Sequence, residues 1–161
     1  MSYGAYGEME PALAGLLDGL SGHVISTKTV PEDGSFEFGD PVFVKADDDV
    51  YGYEADSTDG DLMFNGVAIR SPRSTRTTEG QYDEFDQVNV VERGRVWVPI
   101  VSGVTGICHR PAYVVDAAGA TQKQYTKTSA GNYPTGGIFR SEPVDGLAIL
   151  ELQGINDESE S

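Results

Sequence analysis

The chain has 161 residues, with 26 acidic against 11 basic side chains, a formal net charge of −15 and a pI near 4.2. Such a surface repels nucleic acid and anionic membranes. A single cysteine, Cys108, excludes an intramolecular disulfide, and no apolar run approaches the roughly 20 residues of a membrane span.

Residues 1–8 are rich in Gly and Tyr and unsuited to packing alone. Met9, Leu13, Leu16, Leu17 and Leu20 then recur at helical spacing. Pro11 suits an early helical position, and Gly19 or Gly22 suits the end. A short helix over 9–20 is therefore expected. Twelve residues are marginal in isolation, so its apolar stripe must dock, either on its own sheet or on a neighbouring subunit.

From His23 onward Val, Thr, Tyr and Phe fill short segments between turn signals. Strands are expected near 23–30, 41–45, 50–55, 62–70, 86–92, 95–102, 111–116, 121–126, 136–141 and 146–153. Breaks fall at residues such as Asp33-Gly34, Asp59-Gly60, Ala118-Gly119 and Asp145-Gly146. The spacing predicts an all-β fold, a single-domain sandwich or barrel of jelly-roll type. The organisation reads as an N-terminal arm (1–22), a β domain (23–154) and a disordered acidic tail (155–161).

The sharpest local expectation lies at 80–101. Val88 and Val90 alternate, as do Val96, Val98 and Ile100, and Gly94 lies between the two sets. A three-residue loop of Glu92, Arg93 and Gly94 predicts a hairpin that pairs Val90 with Val96 and Val88 with Val98, with all five apolar residues on one buried face.

The charge is uneven. Residues 1–61 hold 14 acidic and 2 basic side chains, while residues 62–110 hold 5 and 6. Within that middle third, Arg70, Arg73 and Arg76 recur every third residue beside Pro72. In an extended, polyproline-like loop they share one side. Such a row either pairs with the acidic third of the chain or contacts an acidic partner or a neighbouring copy.

Catalytic patterns are sparse. Cys108-His109 resembles a nucleophile and base, but adjacent residues on a strand point to opposite faces. No G-x-S-x-G elbow and no phosphate-binding glycine loop occurs. Two histidines and one cysteine do not build a usual zinc site. Asp47, Asp48, Asp49, Asp56, Asp59 and Asp61 supply hard oxygen ligands suited to calcium, but not at EF-hand spacing, and a solvated acidic loop explains them as well. No cofactor, metal or catalytic residue is expected. The first lysine is Lys28, so no basic-then-apolar leader is seen and folding in the cytoplasm is expected.

Several segments together resemble a family. Phe38-Gly39-Asp40-Pro41-Val42 is similar to the opening turn of small capsid proteins of tailed bacteriophages. Phe64-Asn65-Gly66-Val67-Ala68-Ile69-Arg70 resembles their next strand. Phe85 to Val90 leading into Gly94-Arg95-Val96-Trp97-Val98 resembles their V-N-V … G-R-V-W-V hairpin. Gly136 to Arg140 and Leu147 to Leu152 resemble their closing strands, and Pro11 to Gly15 their lead-in. The set, over about residues 10–153, resembles the phage structural cement, or capsid decoration, proteins.

That resemblance implies a non-enzymatic virion protein, made in the host cytoplasm. It would bind the capsid exterior in many copies and cement neighbouring major capsid protein subunits. The expected state is a homotrimer, with no nucleic acid or membrane partner. The expected partner-binding residues are Met9, Leu13, Leu16, Leu17, Leu20, Arg70, Arg73 and Arg76. The alternative is a carbohydrate- or receptor-binding β domain of a virion, favoured by tyrosines in Gly-rich loops (Tyr3, Tyr6, Tyr51, Tyr53, Tyr82, Tyr133).

Overall fold

The computed structural model describes residues 13–19, 22–30, 36–44, 50–51, 63–70, 81–83, 85–116 and 119–153. These residues form strands and turns only. The strands are β1 (Leu17–Asp18), β2 (Val24–Thr29), β3 (Phe36–Glu37), β4 (Pro41–Val44), β5 (Val50–Tyr51), β6 (Met63–Ala68), β7 (Gln81–Tyr82), β8 (Gln87–Pro99), β9 (Pro111–Val114), β10 (Tyr125–Thr126), β11 (Tyr133–Phe139) and β12 (Leu147–Gln153).

The expected hairpin is instead one strand. β8 runs unbroken through Gly94 for 13 residues. Gly94 has φ +126, and it stands opposite Leu152 on one edge of β8. On the other edge Asp18 pairs with Arg95 and Val24 with Arg93, so the edge partner changes from β1 to β2 across the single Gly94. A left-handed glycine serves a bulge as readily as a turn, which is why the local signal misleads. The valines therefore pair with other strands. Val90 stands opposite Ser26 and Ala68, and Val96 opposite Leu17 and Leu150.

The bulge also changes which residues face inward. Val88 and Val90 enter a small core with Val30, Phe36, Val42, Ala68 and Tyr82. Val91, Val96 and Val98 enter the main core with Phe43, Val67, Ile107, Tyr125, Phe139 and Leu150. All five residues of the expected apolar face are buried, but on two faces of the sheet. Consecutive residues Val42 and Phe43, Val67 and Ala68, and Val90 and Val91 divide between the two cores. This part of the sheet is covered on both sides, so its segments read as continuous apolar runs.

The main sheet has ten strands, in the order β10-β9-β11-β12-β8-β6-β4-β5, with β1 and β2 on β8; every pairing within it is antiparallel. A two-stranded ribbon, β3 with β7, brings Phe36 and Tyr82 into the small core. The sheet curls into a half-barrel. Its edge strand β10 returns to the end of β8, where Ile100 bridges Tyr125 and Val101 N–H donates to Tyr125 O at 3.0 Å. The fold is thus all-β, as expected, but built on one long curled sheet rather than the two stacked sheets of a jelly roll.

The helical reading fails over 13–19, where the chain makes a turn and then β1. Gly15 and Gly19 take φ +78 and +90, which an α-helix does not accommodate. Gly15 N–H donates to Trp97 O, and Trp97 N–H to Leu16 O, so the segment docks by backbone pairing. Leu17 packs on the main core, whereas Leu13 and Leu16 stay 44% and 41% exposed. The 3.6-residue apolar spacing came from one inward and two outward leucines on an extended segment. Residues 1–12 and 20, the central stretch of the acidic loop (52–62), and the tail 154–161 lie outside the described residues.

Candidate functional site

Among the described residues the Cys108–His109 pair is not arranged as a nucleophile and base. Cys108 and His109 lie in a turn, not on a strand, and His109 adopts φ +68. His109 Nδ1 is 3.4 Å from Arg140 Nη1, not from a thiol. Glu142 organises this turn from outside. Its two carboxylate oxygens accept from Gly106 N–H and Cys108 N–H, each at 2.7 Å. Those bonds, that from Cys108 first, hold the Glu142 carboxyl below the usual carboxylate range. The result drives Ile107 fully into the main core. Among the described residues no three His, Cys, Asp or Glu side chains gather as a metal site. Asp47, Asp48, Asp49, Asp56, Asp59 and Asp61 lie outside the described residues.

The tyrosines offered for glycan stacking do not form an exposed platform among the described residues. Tyr82 is buried, and its hydroxyl donates to Ile69 O at 2.6 Å. Tyr133 packs on Phe43 with ring centroids 5.2 Å apart. Tyr3, Tyr6 and Tyr53 lie outside the described residues.

Of the arginine row, only Arg70 is described. Its Nε donates to Ala14 O at 3.0 Å, and its guanidinium stacks 4.8 Å from the Phe38 ring centroid. Its N–H donates to Gly15 O. Arg70 therefore clamps the 13–16 turn to the end of β6. Arg73 and Arg76, like Met9 and Leu20, lie outside the described residues.

The surface best suited to a partner is the outer side of the second half of β8. With Val96 and Val98 turned inward, Arg95 and Trp97 turn outward. Leu16 lies beside Trp97, and Trp97 pairs across to Ile149 on β12. In the adjacent row Asp18, Arg95 and Glu151 line up across β1, β8 and β12. Glu151 accepts from Arg95 Nε at 2.9 Å and from Arg140 Nη2 at 2.8 Å. These two guanidiniums, Arg140 first, hold its carboxyl below the usual range. Exposed Leu13 and Leu16, the sole tryptophan and an arginine pair make a surface of the composition that protein interfaces favour. Sequence reasoning found the leucines and missed the rest. The signal was the odd-numbered alternation Arg93, Arg95 and Trp97 opposite the valines.

A second missed feature joins the two ends of the sheet. Asp40 is 7% exposed; its Oδ2 accepts from Glu37 N–H at 2.9 Å and lies 3.8 Å from Lys123 Nζ. Desolvation raises its pKa to about 6. Next to it, Tyr125 OH donates to Gly39 O at 3.2 Å. Burial, and then the charge of Asp40, pushes the Tyr125 phenol well above its ordinary value. The cluster ties the β3–β4 turn to β10.

Comparison with known proteins gives these surfaces a context. Residues 2–153 match the family described as "Structural cement protein (E217 gp24/Pam3 gp6)". The chain belongs to the phage structural cement protein family. It is also similar to a solved chain in "The capsid of Myoviridae Phage XM1", with 20% identity, a TM-score of 0.72, and 90% of this chain and 93% of that chain covered. That likeness is one of fold. No curated protein matches the chain. Membership supports a capsid-associated structural role in the virion.

Proposed function

We propose that this protein binds the outside of an icosahedral phage capsid and cements neighbouring major capsid protein subunits. The observation that carries this reading is the family match over residues 2–153. The fold fits the role: two cores brace one continuous strand, and Leu13, Leu16 and Trp97 remain at the outer surface. Weak contacts repeated over a shell add by multivalency, so each copy needs only a modest interface. The assembling unit in this proposal is a homotrimer, which matches the three-fold and quasi-three-fold positions of such shells.

Co-sedimentation with decoration-free capsids tests attachment, and light scattering on the purified protein tests the trimer. Failure to bind capsids overturns the cement reading. A strict monomer, free and when released from capsids, overturns the trimer alone. In this proposal a variant with Arg73→Ser and Arg76→Ser folds normally and attaches more weakly at low salt, the behaviour of charges that serve a partner contact rather than the core. Equal attachment at low and high salt would remove those two arginines from the interface. Arg70 is left intact in that test because it clamps the 13–16 turn.

A further inference from the structure

Strand β12 ends at Gln153 for a topological reason. At Arg93, β8 carries Gln153 on one edge and Val24 on the other. At Val90 and Val91 it carries β2 on one edge and β6 on the other. β6 and β12 therefore share an edge of β8, and β6 occupies it from Val91 onward. A β12 extended by two residues would meet β6, so the chain must leave the sheet beside Arg93.

At that point lies a groove of about 670 Å³ that crosses β8 at Gly94. One wall is Leu152 and Gln153, the other Gly19, Gly22 and His23, with Arg93 and Arg95 between. Arg93 is exposed and makes no ion pair among the described residues. Asp18 and Glu151 also line the groove. Glu151 is already held by Arg95 and, from outside the groove, by Arg140, which leaves Arg93 as the lining guanidinium without a carboxylate partner among the described residues.

The eight residues after Gln153 are Gly154-Ile155-Asn156-Asp157-Glu158-Ser159-Glu160-Ser161. They carry three carboxylates and no cation, and they lie beyond the residues that match the family. Crossing from β12 over β8 to the β1–β2 side takes two strand spacings, about 10 Å. Four extended residues span about 13 Å, enough to bring Asp157 and Glu158 to Arg93 and His23.

We propose that this acidic segment is the occupant of the Arg93 groove, held in the same chain by charge pairing with Arg93. The inference does not depend on capsid binding.

A nitroxide on Ser159→Cys, in a full chain with Cys108→Ser, tests it while keeping every carboxylate. Paramagnetic broadening is read on backbone amides. The expected result is loss of more than half the intensity at Gly22, His23, Arg93 and Arg95. That loss should shrink in 0.5 M salt and with Arg93→Ser, while amide positions elsewhere stay unchanged. Broadening that spares these four amides overturns the proposal, as does broadening that Arg93→Ser leaves intact. Broadening seen only between labelled and unlabelled chains in a mixture overturns the same-chain assignment.

Discussion

The two halves of β8 carry the same motif, valines at alternate positions, yet they sit in different surroundings. At Val90 and Val91 the strand is covered on both faces, with Val90 in the small core and Val91 in the main one, while Gln87 is exposed and bonds to Thr29 at the surface. From Arg95 to Pro99 it is covered on one face only; Val96 and Val98 are buried while Arg95 stays exposed. Among the described residues the first half is enclosed on both faces only at Val90 and Val91, and there it carries packing. The second half has a free side, and that is where the guanidinium and tryptophan rows lie. Counting covered faces along one strand separates scaffold from candidate interface.

The comparison breaks most visibly at Val90. Val90→Asp would place an unpaired carboxylate in a fully buried position between Ser26 and Ala68. The expected cost is on the order of several kcal/mol, enough to unfold a marginal domain. Chemical denaturation measures it. A melting temperature within a few degrees of wild type would mean that the first half is not enclosed.

Gly94 divides the halves and should come next in effect. Its φ of +126 disfavours any side chain, and a Cβ there would press into the His23 ring. Gly94→Ala should cost about 1–3 kcal/mol. Adding His23→Ala should recover the steric part and leave the backbone part. Simple additivity of the two substitutions would show that the ring contact does not matter.

Asp40 tests how the half-barrel is tied together. Its folded pKa, about 6, lies above the ordinary 3.8. Between those values the folded state binds more protons than the unfolded one, so stability falls as pH rises from about 4 to about 6. Two units correspond to roughly 3 kcal/mol as an upper figure. Glu151, with a lowered pKa, acts in the opposite sense and below the ordinary carboxylate range, so the two effects separate. Asp40→Asn should flatten the stability profile between pH 4.5 and 7 measured by urea denaturation. An unchanged slope would assign that dependence elsewhere.

Strand existence and fold class were legible because the apolar periodicity is short and the turn residues are frequent. β2, β4, β6, β9 and β12 fall within or close to their expected bounds. What was not legible depends on distant partners. Gly94 reads as a turn until β1 and β2 are seen to pair with β8 on either side of it, and Leu13, Leu16 and Leu17 read as helical until β8 is seen to pair with this segment. The two-residue strands β1, β3 and β7 carry no periodicity at all. The Arg95–Glu151–Arg140 cluster joins β8, β12 and the residue after β11, which no single segment contains.

The smallest effect on folding should come from the free face. Arg95 is 49% exposed at its side chain, and its partner Glu151 keeps a second guanidinium, Arg140, at 2.8 Å. Exposed ion pairs contribute about 0–1 kcal/mol, so Arg95→Ser should move stability by less than that. Trp97 would keep its environment, since its backbone bonds run to Gly15 and Leu16 rather than to Arg95. If the outer face is where a capsid subunit sits, the same substitution should weaken attachment measurably, because an arginine beside a tryptophan is the kind of residue on which interface energy concentrates. Paired denaturation and capsid co-sedimentation on one protein preparation decide the matter. Loss of stability comparable to Val90→Asp would mean that the second half is as enclosed as the first. Unchanged stability with unchanged attachment would keep the distinction between the halves and move the interface to another face.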